Sequence, residues 1–475
     1  MLKIFTDVFQ ELHGSDVTFC NWKGHHDIQS HLQGNGDLDI FVPLHHKFKF
    51  EMIIGGKGFR RVNSYQASHD FVEHYYGLDM STGRFGHLHV YYKIVTGESI
   101  SKNYILPIDK FIKDHLDDAR VLPIVNERAK AAIFLIRYFI KIGSPYGWLQ
   151  YWRESSKYSN EWGLIDFQGQ YESIPELKLS VDDLSNLSRA YTSGGIASKF
   201  ITSIKFKNKI RHLRRRSLLG VQVYVLKNFF IRLTNRVFLK KKKLLSPGLV
   251  VAICGLDGTG KSSLVESLST RFSEHFCMKS LHLGRPSSTK VSLIFKPLLA
   301  LRVQIKRLKK AEINSSKIES TAKESGIIYA IRSVLLAYDR KAESLHAHSL
   351  SSKGYLVICD RYPGLLAGKM DSPRIPLDID RGRVYQYCYR VEQYLYHTIR
   401  PANMLFHLQA PVEVAIERNN AREKAGKETE KELRERFLIN SDATFISDNY
   451  RYVDATAPLQ NVFSEVTNGI WFEWV

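Results

Sequence analysis

Leu249-Val250-Val251-Ala252-Ile253-Cys254-Gly255-Leu256-Asp257-Gly258-Thr259-Gly260-Lys261-Ser262 decides the fold of the second half of this chain. Its first six residues are continuously apolar, the pattern of a strand buried on both faces of a parallel sheet. The next eight read G-x-x-x-x-G-K-S, and Ser262 to Phe272 then has helical spacing. Strand, glycine-rich turn and helix in this order form the setting in which a loop wraps a phosphate chain. The glycines let successive N–H groups face the anion, and the helix N-terminus adds its dipole. Gly255, Gly258, Thr259, Gly260, Lys261, Ser262 and Ser263 form the expected ATP-binding set. Lys261 is expected to reach the β- and γ-phosphates, and the Ser262 hydroxyl to bind Mg2+.

Ser246-Pro247-Gly248 breaks the chain just before this strand. Two further buried strands are predicted, Tyr355 to Cys359 and Asn403 to Leu408, in a stretch where strands and helices alternate to the end. That alternation predicts a parallel sheet wrapped by helices over residues 246–475.

Several segments of this half, in order, resemble the thymidylate kinase-like family. The loop has that family's GxDGxGKS form. Leu335 to Arg340 resembles its helix ending in Asp-Arg, and Val357-Ile358-Cys359-Asp360-Arg361-Tyr362 its DRY motif. Leu408 to Arg418 resembles its strand and helix leading to a lid, and Tyr452-Val453-Asp454-Ala455 the turn that contacts adenine. The resemblance implies an ATP-dependent phosphotransferase, dimeric, acting on a nucleoside monophosphate or similar small phosphorylated acceptor. It implies that Asp360 shares the magnesium with Ser262, and that Arg361, Arg340, Arg285 and Tyr362 meet the acceptor, with Asp257 contacting it from the loop. Arg418 and Arg422 would bring cations onto the transferring phosphoryl group, and Asp454 and Ala455 would meet the base. The chain departs from the family at Gly284-Arg285-Pro286-Ser287-Ser288, where Arg-Glu-Pro-Gly-Gly is expected. It also lacks the residues after the DRY motif that recognise thymine, and Lys290 to Ser325 is longer and more basic than a minimal enzyme needs.

Residues 1–122 read as mixed α+β, with a helix over Leu2 to Leu12 and strands at Val17 to Trp22, Leu38 to Val42, Phe71 to Tyr76 and His87 to Tyr92. Gly34-Asn35-Gly36-Asp37-Leu38-Asp39 places two carboxylates on one strand face beside a glycine turn, which suits a divalent metal. This resembles the nucleotidyltransferase superfamily. That family's third carboxylate falls where this chain has His89, with Asp79 a substitute candidate. The domain is then either an active transferase or one that only binds ligand.

Residues 123–245 read as helical with a basic linker. No Asp or Glu occurs from Leu184 to Leu256, while Ile201 to Leu245 holds 14 Lys or Arg within a chain of 475 residues and net charge +20. Residues 205–243 are therefore either a solvated face or a site for an anionic membrane or nucleic acid. The apolar run Ser217 to Leu239 is expected first to pack on its own protein, with a helix lying on a membrane as the alternative. The five cysteines lack metal-site spacing and read as core residues in a reducing compartment. The charged first residues and the lack of a long apolar run predict a cytoplasmic protein. Three readings stay open: the kinase, a bifunctional kinase and nucleotidyltransferase in surface-glycan precursor synthesis, and a nucleotide sensor that binds polyanions.

Overall fold

The computed structural model describes residues 1–63, 69–98, 100–143, 145–237, 242–244, 247–295, 326–378, 380–420 and 429–474, with backbone alone for 145–151, 154, 218 and 236. Three sequence expectations fall partly outside these residues: Arg422, the lysines Lys240 and Lys241, and the stretch 296–325. The chain forms two compact units, Met1–Leu245 and Ser246–Val475.

The first unit is built on a mixed sheet. Its strands are β1 (Cys20–Asn21), β2 (Asp37–Phe41), β3 (Phe59–Asn63), β4 (Val72–Asp79), β5 (Arg84–Tyr91), β8 (Leu116–Asp117), β9 (Ile124–Val125) and β10 (Lys243–Leu244), in the order β10-β3-β4-β5-β2-β1-β9-β8. A separate hairpin pairs β6 (Ile94–Thr96) with β7 (Tyr104–Leu106). Helices α1 (Lys3–His13), α2 (Ile28–Leu32), α3 (Lys47–Gly56) and α4 (Asp109–Asp114) accompany these strands. β2 and β5 run parallel, with Asp37 opposite His87 and Asp39 opposite His89. β3 was not anticipated from the sequence. Its buried residues, Phe59 and Val62, flank Arg60 and Arg61 and so break strict alternation.

The helical stretch shares a core with this sheet. Helix α5 (Glu127–Ile142) is capped by Asn126, whose side chain accepts from the Ala129 N–H, and is buried along nearly its whole circumference. It packs between sheet residues such as Trp22, Phe41 and Tyr91 and the buried Leu184, Leu187 and Phe206 of α7 (Val181–Thr192) and α8 (Ile196–Lys209). Its one deeply buried charge, Arg137, donates to Glu161 of α6 (Pro145–Gly163) at 2.8 Å. Helix α9 (Leu218–Val237) follows. Among the described residues no helix is long and apolar enough to cross a membrane.

The second unit has a five-stranded, wholly parallel sheet: β11 (Leu249–Gly255), β12 (Met278–His282), β13 (Leu356–Asp360), β14 (Ala402–Gln409) and β15 (Ser447–Asp454), in the order β12-β13-β11-β14-β15. All seven residues of β11 are buried, as its unbroken apolar sequence requires of a central strand. Helices α10 (Lys261–His275), α11 (Ile327–Ser351), α12 (Arg383–His397), α13 (Val412–Asn420), α14 (Glu430–Asn440) and α15 (Leu459–Glu473) belong to this unit. α10 buries Leu264, Leu268 and Phe272 at four-residue spacing, each side chain contributing roughly 1.5–3 kcal/mol. The chain leaves β11 to build β12 and β13 on one side, then returns to build β14 and β15 on the other. That reversal opens a crevice at the C-terminal end of β11, where open α/β sheets bind ligands. All five cysteines are buried, and no disulfide joins any two of them.

Candidate functional site

The loop between β11 and α10 sits in that crevice. Gly258 has φ +89°, and a Cβ there would lie 2.8 Å from the Ala415 Cβ, so both conformation and close packing against α13 require glycine. Thr259 is buried, and its hydroxyl donates to the Leu256 carbonyl at 2.8 Å, bracing the turn from within. Ser263 is exposed in the first turn of α10. Lys261 is only 5% exposed and folds back to donate to the Leu256 carbonyl at 2.5 Å. Burial, followed by the nearby Arg361 guanidinium, pushes its ammonium down to about 8.

Asp360 ends β13 beside β11. Its Oδ2 accepts from the Ser262 hydroxyl at 3.4 Å, while its buried Oδ1 has no hydrogen-bond partner. An orphaned carboxylate oxygen next to a loop hydroxyl is the donor set a hydrated Mg2+ needs, so the residues present fit that ion.

Arg361 follows in the left-handed region at φ +69°. A non-glycine residue held there is strained, and its N–H bond to the Ile253 carbonyl at 3.0 Å helps to hold it. The conformation turns the guanidinium onto Asp257 and, at 3.3 Å, onto Asp371. A Cβ at position 284 would come within 2.3 Å of the Arg361 Cδ, so Gly284 makes room for this arm. Asp257 also meets Arg436 of α14 at 3.0 Å. Burial works to raise the Asp257 carboxyl, but Arg361, Lys261 and Arg436 outweigh it and hold it below the usual carboxylate range. Arg285 is exposed and makes no ion pair among the described residues.

On the other side of the loop lies a cavity of about 690 Å³, lined among others by Leu256, Thr259, His407, Pro411, Tyr452 and Asp454. Burial, then Lys261, pushes the His407 imidazole down to about 4, so it is neutral near pH 7; Tyr450 lies 2.6 Å from its Nδ1. The Asp454 carboxylate accepts from the Thr456 N–H and hydroxyl, which shapes the turn after β15. The Ala455 N–H bonds to the Gln409 carbonyl at 2.7 Å.

Four sequence-based assignments need correction. Arg340 does not reach the crevice: it is fully buried and donates to the carbonyls of Leu283 and Gly284, the Tyr396 hydroxyl and the Asp371 carboxylate. Tyr362 is also fully buried, its hydroxyl donating to the Arg400 carbonyl at 2.8 Å. Arg418 spends its guanidinium on the Ala455 carbonyl at 2.8 Å, and Arg436 is the helix cation that reaches Asp257. Asp79 is no metal ligand, because it accepts from the Ile4 N–H, Ser81, and the Thr82 N–H and hydroxyl. The sequence reading missed Asp371 and Arg436. Asp371 carries a signal only in retrospect, standing in a Gly-Lys-Met-Asp-Ser-Pro turn; Arg436 carries none among the other charges of its helix.

A second cluster lies in the first unit. The parallel register of β2 and β5 brings Asp37, Asp39 and His89 together, one ligand atom of each within 4.8 Å of the others. His89 Nδ1 stands 2.9 Å from Asp39 and 3.2 Å from Asp37, and Lys23 Nζ 2.8 Å from Asp39. Burial works to raise both carboxyls, yet His89 and Lys23 hold both well below the ordinary range. The His74 ring stacks on His89 with centroids 4.4 Å apart.

No family model matches this chain. Two curated proteins, each named "Uncharacterized ATP-binding protein YghR", from Escherichia coli K12 and from Escherichia coli O6:H1 strain CFT073, are 26% identical to it over 230 residues, 47% of this chain and 87% of theirs. Among solved structures, a gluconokinase from Sinorhizobium meliloti 1021 aligns at 15% identity over 47% of this chain and 91% of its own, with a TM-score of 0.22. A thymidylate kinase from Candida albicans aligns at 18% identity over 48% and 94%, with a TM-score of 0.27. At TM-scores this low, the fold rests on the strand order and loop geometry of the chain itself.

Proposed function

We propose that the unit Ser246–Val475 is an ATP-dependent phosphotransferase of thymidylate kinase-like type, acting on a small phosphorylated acceptor. The observation that carries this reading is Arg361, turned by a strained backbone onto the P-loop residue Asp257 at the end of the strand next to the loop. A guanidinium held there meets an acceptor's phosphate from the side opposite the ATP tail. The name of the Escherichia coli relatives supports ATP as the nucleotide. In this reading the adenine occupies the cavity lined by Leu256, Pro411 and Tyr452. An oxygen of the acceptor phosphate attacks Pγ. The bond from Pγ to the bridging oxygen breaks, and ADP leaves with that electron pair. Lys261 neutralises the outer phosphates, and Arg361 orients the acceptor. Mg2+ at Asp360 and Ser262 would supply further charge neutralisation. Catalysis of this kind is mostly positioning and electrostatics.

The test is ADP release from ATP and magnesium across a panel of nucleoside monophosphates and sugar phosphates. At least one acceptor is expected to stimulate release. Arg361→Gln is expected to raise that acceptor's KM about tenfold or more, the scale of one lost charge-assisted pairing, with ATP affinity unchanged. A panel without any active acceptor would sink the proposal.

A second reading belongs to the unit Met1–Leu245: a metal-dependent, nucleotidyltransferase-like site on Asp37, Asp39 and His89. The close approach of these three ligands favours it. An imidazole beside two carboxylates suits Mn2+ or Zn2+ better than Mg2+. Calorimetric titration with Mn2+ should show binding that weakens about tenfold or more in Asp39→Asn. Heat-silent titrations with both Mn2+ and Zn2+ would remove this reading.

A further inference from the structure

Helix α9 turns an apolar side outward. Leu219, Val223, Leu226, Phe230, Leu233 and Val237 are each between 47% and 82% exposed. Their spacing alternates four and three residues, so on a helix they form one stripe. The opposite side anchors the helix: Asn228 is 2% exposed and donates to the Ile100 carbonyl at 3.1 Å. The arginines before it are also engaged. Arg214 donates to the Tyr104 hydroxyl, Arg215 pairs with Asp70, and Arg216 lies 3.8 Å from the centre of the Tyr224 ring. The same inward side carries the half-buried Val221, Val225 and Ile231, so the helix is apolar on both sides and leaves six large apolar residues in solvent. A contiguous exposed patch of this kind marks an interaction surface.

Charge selects the occupant. The 73-residue span from Leu184 to Leu256 contains no carboxylate side chain, Lys227 is exposed beside the stripe, and Phe229, 51% exposed, widens it. A second copy packed as a coiled coil would place Gln222, Lys227, Phe229, Thr234 and Arg236 along the seam, with no acidic residue on either side to pair the cations. A bilayer with anionic headgroups takes the apolar stripe into its acyl boundary and the flanking cations into its surface. α9 is not apolar enough to cross a membrane, which fits a helix lying in the plane. We propose that α9 docks the chain on an anionic lipid surface through Leu219, Val223, Leu226, Phe230, Leu233 and Val237.

The test is co-sedimentation of the full chain with phosphatidylglycerol–phosphatidylcholine vesicles and with pure phosphatidylcholine vesicles. Binding is expected to the anionic vesicles and to fall as salt rises. The double substitution Leu226→Asp and Phe230→Asp should weaken it about tenfold or more, since two apolar groups leave the bilayer. Both positions are exposed, so an unchanged melting curve will show that the fold survives. Failure of the wild type to bind anionic vesicles at low salt overturns the proposal, as does binding that ignores the double substitution. A vesicle-independent dimer dispersed by that substitution would assign the stripe to a second copy instead. Preference for a single-stranded oligonucleotide over vesicles would assign it to nucleic acid.

Discussion

Lys261→Ala is expected to slow phosphoryl transfer by about 10²–10³-fold, the range for removing one preorganised charge from a transition state. The fold should tolerate the change, because the amine's hydrogen bond in the free protein is to the Leu256 carbonyl and the amine is held in an environment that disfavours its charge. That environment also gives the substitution a signature in binding. Burial, with Arg361 behind it, brings the ammonium down to about 8. A triphosphate in contact with it favours the charged form and raises that value. Above pH 8 the free protein therefore holds a partly neutral amine and the complex a charged one, so ATP binding takes up a proton. The sign follows: ATP affinity is level below the free-state value and falls as pH rises through it, by up to about tenfold per unit. Calorimetry in buffers of different ionisation enthalpy measures the proton directly. The uptake should vanish in Lys261→Ala. A wild-type affinity that stays flat from about pH 7 to 10 would show that ATP binding does not change the protonation of this amine.

How much of this was legible in the sequence varies with how local the cause is. β11, the loop and α10 could be read because their determinants lie within a few residues of one another: a continuous apolar run, glycines at the turn, and four-residue spacing of Leu264, Leu268 and Phe272. The order β12-β13-β11-β14-β15 could not be read, because which strand lies beside β11 depends on crossovers of tens of residues. The same divide runs through the site. Asp360 and Arg361 were legible because they follow directly on a buried strand. Arg340 and Tyr362 occupy motif positions, but a motif does not say which way a side chain points, and the fold turns both into the interior. Asp371, which ties Arg340 to Arg361, lies in a loop whose course only the tertiary structure gives. For α9 the sequence reading favoured burial, since apolar residues at helical spacing usually pack. One side does pack, through Asn228 and the half-buried Val221, Val225 and Ile231, while a second apolar stripe is left exposed, which helical spacing alone could not tell.

Arg340 carries the second large effect, and it is one of stability. Its guanidinium lies in the interior of the second unit, donating to the Leu283 carbonyl at 3.1 Å, the Gly284 carbonyl at 3.3 Å, the Tyr396 hydroxyl at 2.5 Å and the Asp371 carboxylate at 2.6 Å. The Tyr396 hydroxyl passes the network on to the Ser372 carbonyl at 3.0 Å. Removing the guanidinium leaves the buried Leu283 carbonyl and the half-buried Gly284 carbonyl without this donor, and leaves the 7%-exposed Asp371, among the described residues, with the longer contact to Arg361. Breaking one side of a buried ion pair costs about 3–5 kcal/mol, because the remaining charge is uncompensated. For a unit of this size that is a fall in Tm of roughly 6–20 °C in the transition assigned to it. Arg340→Lys keeps the charge but loses the fan of donors that meets four acceptors at once, so it should recover little of the loss. The comparison separates a structural arginine from one that binds acceptor. An acceptor-binding arginine would leave the melting temperature unchanged on replacement by alanine and raise the acceptor's KM alone. Arg340→Ala should instead lower the melting temperature of the second unit before any substrate is added, and a melting curve that overlays the wild type would return Arg340 to the substrate site.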